Sequence, residues 1–172
     1  MTLIVETGAG LATAESYLSA VDADAYHANF GNTTWADLDP DVKESALRRA
    51  TQYLTGVYRM RWAGSRMTSA QALDWPRAFV PKRDVIGGYR SYPSYYDNTS
   101  VPQEVKQACA VMALKAVQGD LAPDLERQTA SEKVGSLQVD YVAGAPEYTR
   151  YRAIDLMLKP LLGSTGIGLV RS

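Results

Sequence analysis

Aromatic and basic side chains are interleaved along one stretch of this 172-residue chain. Between residues 79 and 100 lie Tyr89, Tyr92, Tyr95 and Tyr96, with Lys82, Arg83 and Arg90 among them. Rings alternating with cations can stack the bases of a single nucleic-acid strand and hold its phosphates. The same tyrosines suit protein contact, because each ring has an apolar body and a polar tip. A net charge of −1 favours the protein-contact reading. Pro81, Gly87, Gly88 and Pro93 mark the stretch as a long surface loop, 79–100, of a length that compact domains keep for binding or motion.

The C-terminal end offers a second candidate. In GSTGIGLVRS, Ile167, Leu169 and Val170 are apolar, with Gly168 between them and Arg171 beyond. A segment that stays free in water has no use for such side chains, so 163–172 reads as an arm that docks elsewhere.

Residues for catalysis do not come together. His27 is the sole histidine and Cys109 the sole cysteine, so neither a metal set nor a Ser/His/Asp set can be assembled. His27 reads as a surface or packing residue and Cys109 as a small buried hydrophobe. Gly8-Ala9-Gly10 follows a short apolar run, but no third glycine or phosphate-binding lysine follows it. The expectation is a protein that is not an enzyme and uses no cofactor and no metal. One cysteine fits a reducing compartment. No apolar run approaches membrane-spanning length, and MTLIVETGAG lacks the basic and apolar regions of a signal peptide.

Charge is unevenly distributed. Residues 1–42 carry seven acids and no Lys or Arg (0 − 7 = −7), residues 43–90 ten bases and three acids (10 − 3 = +7), and residues 91–172 eight bases and nine acids (8 − 9 = −1). Such a split can steer association. It suggests that Asp37 and Asp41 of one copy face Arg59 and Arg61 of the next, although the charges could also pair within one chain.

Helices must position these groups. DPDVKESALRRATQYLTGVY, residues 39–58, is the clearest of them: Asp39 can cap it, Pro40 suits its first position, and Ala46, Ala50, Tyr53 and Val57 form a stripe widened by Leu47 and Leu54. Further helices are expected over 19–30, capped by Ser19 and closed by Gly31, over 102–118 with Val105, Cys109, Met112 and Ala116 inward, and over 147–162 with a kink at Pro160. Thr68 or Ser69 should cap another helical turn or two over Met67–Leu73. Trp75-Pro76-Arg77 turns the chain sharply, with Trp75 as a buried lid. Val134-Gly135-Ser136-Leu137 reads as a hairpin turn within 128–142, and Thr2–Val5 as a short edge strand before a flexible Gly8-Ala9-Gly10 joint. The expected fold is mostly α: a small helical bundle at 19–162, a β-hairpin, and extended arms at 1–18 and 163–172.

In that order, Ser16-Tyr17 before a capped helix, Ala46-Leu47-Arg48-Arg49-Ala50-Thr51-Gln52-Tyr53-Leu54, Gln71-Ala72-Leu73-Asp74-Trp75-Pro76-Arg77, Val101-Pro102, Glu132-Lys133-Val134-Gly135 and Pro160-Leu161-Leu162-Gly163 resemble tailed-phage head–tail adaptor (connector) proteins. Some sequences of this kind carry the label DnaT-like single-stranded-DNA-binding protein. The resemblance implies a structural virion protein, made in the host cytoplasm and placed at the head–tail interface. It implies a ring, usually of twelve copies, beneath the portal protein, with DNA passing through the lumen and a neck or tail-completion protein below. Residues 167–171 would then dock on the portal. The label implies the alternative, a single-stranded-DNA-binding accessory protein of replication.

Overall fold

The computed structural model of the chain describes residues 2–85, 94–124, 131–134, 137–140 and 149–163. Five α-helices lie among them: α1 (Ala20–Asn29), α2 (Thr33–Ala36), α3 (Pro40–Tyr58), α4 (Gln103–Gln118) and α5 (Arg152–Leu158), the last running into a 3₁₀ turn at Lys159–Leu161. Two antiparallel pairs complete the elements, β1 (Ser65–Arg66) with β2 (Arg77–Ala78) and β3 (Ser131–Val134) with β4 (Leu137–Asp140). Val134 pairs with Leu137, so β3 and β4 form the expected hairpin; its turn residues, 135 and 136, lie outside the described residues. The fold is the mostly helical bundle expected.

Helix α1 starts where its cap predicts. Ser19 Oγ accepts from the Asp22 amide at 3.0 Å and donates to the Asp22 carboxylate at 2.7 Å. Gly31, at φ 68°, ends α1. Asp39 precedes α3 but its side chain makes no capping bond; Pro40 at the first position sets the start instead. The last α-helix is shorter than expected, since Tyr151 precedes it and Pro160, which has no N–H to donate, leaves only a 3₁₀ turn after Leu158.

α3 packs mainly on α4, and α4 also holds α5 and α1. Leu47, Ala50 and Leu54 of α3 meet the core with Val105, Ala108 and Met112 of α4 and Ile154, Leu158 and Leu161 of the C-terminal segment. The buried stripe of α3 is rotated from the expected one. It runs through Lys43, Ala46, Leu47, Ala50, Thr51, Leu54 and Tyr58, keeping Ala46, Leu47, Ala50 and Leu54 as expected but leaving Tyr53 half-buried and Val57 exposed. Cys109 is buried, with its sulfur 3.4 Å from Thr51 Oγ1, and burial pushes its thiol pKa up.

The extended N-terminal segment lies on this body. Val5 bridges Ser16 in parallel, in place of a full strand. Gly8-Ala9-Gly10 is a cradle rather than a flexible joint: the Glu6 carboxylate, 2% exposed, accepts the amides of Gly8, Gly10 and Leu11 at 2.8, 2.9 and 2.8 Å. Gly8 has φ 104°, and a Cβ there would collide with the Thr99 carbonyl oxygen, so only glycine fits.

Residues 67–73 are not helical. Thr68 and Gln71 exchange the two bonds of a capping box, Gln71 N to Thr68 Oγ1 and Thr68 N to Gln71 Oε1. No helix follows, because Gln71 Nε2 instead donates to the carbonyls of Leu73 and Pro76 and folds the chain over the Trp-Pro turn. The Trp75-Pro76 bond is cis. Trp75 is fully buried, edge-on to Trp62 at 5.7 Å, and its indole N–H has no partner among the described residues.

His27 is a packing residue. Its Nε2 donates to the Ala110 carbonyl at 3.1 Å, so Nδ1 accepts from the Asn32 amide at 3.0 Å, which makes the imidazole neutral. Trp35, on the unforeseen helix α2, stacks on it at 4.6 Å and donates its own N–H to Asp24.

Trp75→Ala should lower stability by about 3–5 kcal/mol in urea unfolding. Trp75→Phe should cost far less, because the deleted N–H has nothing to lose. A Trp75→Ala loss below about 1 kcal/mol would show that the turn is not the lid of the bundle. Burial also pulls the His27 pKa below the ordinary value of 6.5, against a smaller opposing effect of the Ala110 carbonyl. On acidification the unfolded chain therefore takes its proton first. The stability from neutral His27 is complete above about pH 6.5 and is lost as pH falls toward the folded pKa. Unfolding curves between about pH 7.5 and 5 should show this fall, and His27→Gln should flatten it.

Candidate nucleic-acid interface

The Trp-Pro-Arg turn is the base on which an exposed aromatic ledge is built. Arg77 is buried, donating from Nε to the Ala63 carbonyl and from Nη2 to the Gly64 carbonyl, both at 2.8 Å, and from Nη1 to the Asp74 carbonyl at 3.2 Å. This closes β2 against β1, with Ser65 opposite Ala78 and Arg66 opposite Arg77. Gly64 permits the closure, since a Cβ there would collide with the Ala78 carbonyl oxygen. Val80 is fully buried two residues on, so the chain must swing outward between two inward positions.

Phe79 takes that turn at φ 60° and is 73% exposed. A left-handed conformation is costly for a residue with a Cβ, and large side chains rarely adopt it. The neighbouring segment 94–96 supports it: Tyr96 N donates to Val80 O at 2.9 Å, Lys82 N to Ser94 O at 2.7 Å, and Pro81 forms an isolated bridge with Tyr95. Alternation along 94–96 sends Tyr95 outward, where its ring meets that of Phe79 edge-on at 6.3 Å.

Tyr96 turns the other way. Its hydroxyl donates to Glu104 at 3.1 Å, and burial followed by the Glu104 charge pushes its pKa up to about 12. Lys82 Nζ lies 5.3 Å from the centre of the same ring, a cation–π distance. Arg83 donates to the Leu162 carbonyl at 3.2 Å while staying exposed. Asp97 is exposed, its pKa lowered chiefly by the Thr99 amide. Phe79 and Tyr95 therefore share one short segment with Lys82, which lies on its Tyr96 side, and with the exposed Arg83, while Asp84 and Asp97 partly offset the positive charge.

Over residues 1–172 the chain matches the family described as Putative DnaT-like ssDNA binding protein. The chain belongs to this family. It matches no curated protein and no solved structure. No helix among its described residues is long and apolar enough to cross a membrane. No group of three His, Cys, Asp or Glu among them could hold a metal ion.

In this DnaT-like chain the other residues singled out by sequence are distributed over the surface or lie outside the described part. Tyr89 and Tyr92 of the loop, and Ile167, Gly168, Leu169, Val170 and Arg171 of the tail, lie outside the described residues. Asp37 and Asp41 are exposed near the start of α3. Arg59 pairs with buried Asp74 at 2.8 Å, and Arg61 pairs with Asp155 at 3.3 Å and covers the Tyr58 ring. Both arginines are half-exposed but engaged within the chain. Trp75, Pro76 and Arg77 are buried, so the motif is structural.

Sequence reasoning passed over Phe79. Its signal was present in the order Arg77-Ala78-Phe79-Val80 after the turn, where alternation puts Phe79 on the side opposite Val80. Phe79→Gly removes an exposed ring and the left-handed penalty together, so stability should hold or rise by up to about 1 kcal/mol. A loss larger than about 1 kcal/mol in urea unfolding would show that Phe79 packs rather than projects.

Proposed function

We propose that this chain binds single-stranded DNA weakly and without sequence preference, with Phe79 and Tyr95 as the stacking platform and Lys82 and Arg83 as the phosphate contacts. The observation that carries the reading is Phe79, a large ring held out into solvent in a backbone conformation that costs stability. Membership of the DnaT-like family supports the class of ligand. Every base has a face to stack, so two rings bind any sequence, and the nearby carboxylates keep the affinity modest.

Fluorescence anisotropy with a labelled oligothymidine tests this. Each ring contributes about 1–3 kcal/mol per stacked base, so Phe79→Ala with Tyr95→Ala should weaken binding by at least about tenfold. Two phosphate contacts to a single strand give a slope of log K against log salt near −1.4, that is, about −0.7 for each. Binding unchanged in the double variant would defeat the ledge.

A second reading rests on other surfaces. Val21 on α1 and Phe30 at its carboxyl cap are exposed, while Met60 and Leu156 are exposed elsewhere on the bundle. A head-to-tail ring needs two different faces on each copy. With the resemblance to head–tail adaptors, this supports a virion protein that forms a ring on the portal above a neck or tail-completion protein, with the tail, 167–171, as its anchor. Arg59 is a poor site for charge reversal in testing that ring, because its loss also strips buried Asp74 of its partner. Negative-stain images of the chain mixed with portal protein separate the readings: rings without measurable oligothymidine binding favour the adaptor.

A further inference from the structure

Between the carboxyl end of α1 and helix α2 lies a hollow of about 330 Å³, at the small end of the range for sites that hold small molecules. Ala28, Gly31, Trp35 and Ala36 form its apolar wall, and Asp24 and Lys43 line it as a charged pair. A lysine is almost never buried unless something holds its charge, yet Lys43 is 9% exposed. Its ammonium lies 3.0 Å from Asp24 Oδ1, 3.5 Å from the Ala36 carbonyl oxygen and 6.0 Å from the centre of the Trp35 ring.

The pairing inside the chain uses only part of what these groups offer. The Trp35 indole donates to the same Asp24 oxygen, Oδ1, at 2.7 Å, so both bonds to the carboxylate fall on one atom. Oδ2 accepts from none of the described residues, and the Asp24 side chain is half-exposed. An ammonium has three protons, and Lys43 has two acceptors among the described residues, Asp24 and Ala36. An acceptor and a donor therefore stand side by side with capacity to spare, next to an apolar wall where a further bond is stronger than in open water. Their complement is a flat group that carries a donor beside an acceptor. The edge of a nucleobase is such a group: the ring N–H and carbonyl of thymine would meet Oδ2 and Nζ, and the other bases present a donor beside an acceptor in the same way.

We propose that the α1–α2 hollow takes a single nucleobase, with Asp24 accepting from its edge, Lys43 donating to it, and Ala28 and Ala36 against its apolar surface. The class of ligand rests on the reading of the chain as a DNA binder, but the site shares no residue with the Phe79–Tyr95 ledge. Because only one base is held, the dissociation constant should lie at about 1 mM.

Thymidine titrated into the isotope-labelled chain tests the hollow by nuclear magnetic resonance. It should move the Trp35 indole N–H signal, identified by its loss in Trp35→Phe, with a midpoint at about 1 mM. N-methylthymidine, whose ring N–H is replaced by a methyl group, should bind at least about tenfold more weakly, because Asp24 then has no donor to accept from. Ala28→Trp fills the hollow from an exposed position and should abolish the shift with circular dichroism unchanged. Phe79→Ala with Tyr95→Ala should leave thymidine binding as it is, so failure of the ledge and failure of the hollow are read separately. An oligothymidine that moves the same signal at lower concentration than thymidine would make the base part of a bound strand, whereas movement by thymidine alone would make the ligand a free nucleoside. No movement at about 20 mM thymidine, equal binding of N-methylthymidine, or a shift that survives Ala28→Trp in a folded protein would overturn the proposal.

Discussion

A carboxylate with no solvent exposure ties three stretches of this fold together. Asp74 is fully buried, and burying a charge is costly unless it is paired and hydrogen-bonded. Its oxygens accept from Arg59 Nε at 2.8 Å and from the Trp62 indole at 3.2 Å, and its own amide donates to the Tyr17 hydroxyl at 3.0 Å. Three separate stretches, the end of α3, the turn after it and the N-terminal segment, meet on one residue of the Trp-Pro turn. Burial and the Asp74 charge raise the Tyr17 pKa well above its ordinary range, so this hydroxyl stays protonated. Arg77, β1–β2 and the outward swing of Phe79 all start from that fixed turn, so the ledge inherits its rigidity from a bond network it does not touch.

Local pattern revealed the helices and concealed their partners. α3 and α4 were legible because apolar residues at helical spacing and flanking Pro, Ser and Gly state both the element and its ends. The rotation of the α3 stripe was not, since Val57 and Tyr58 are both apolar and only the position of α4 decides which goes inward. Thr68 and Gln71 carry a helix-start signature and make both of its bonds. The helix fails because Gln71 is needed by two carbonyls beyond the turn. For the candidate site the tyrosines drew notice by number, yet of the two described ones only Tyr95 projects, Tyr96 turns inward, and the second projecting ring is a phenylalanine outside the cluster. Composition marks a region; backbone geometry chooses the residue.

The opposition of an acidic and a basic stretch is partly resolved inside the chain. Arg48 reaches Glu15 at 3.0 Å and Lys43 reaches Asp24 at 3.0 Å, each pair joining the two stretches. Such partly exposed pairs contribute little individually. They do consume charges that the sequence alone presents as free. Asp37 and Asp41 remain exposed, while Arg59 and Arg61 divide their charge between internal acids and the surface.

The Glu6 cradle has a consequence for how the chain can vary. Its three donors are amides two, four and five residues after the carboxylate, and they converge on one side chain of fixed reach. The segment is therefore specified by length as much as by residue type. Inserting or removing one residue between Glu6 and Leu11 would move an amide out of the cradle and strand a buried carboxylate, even if every new residue were glycine. Ala12 and Thr13, exposed immediately after Leu11, carry no such constraint from Glu6, and there this end of the molecule can lengthen without disturbing the cradle.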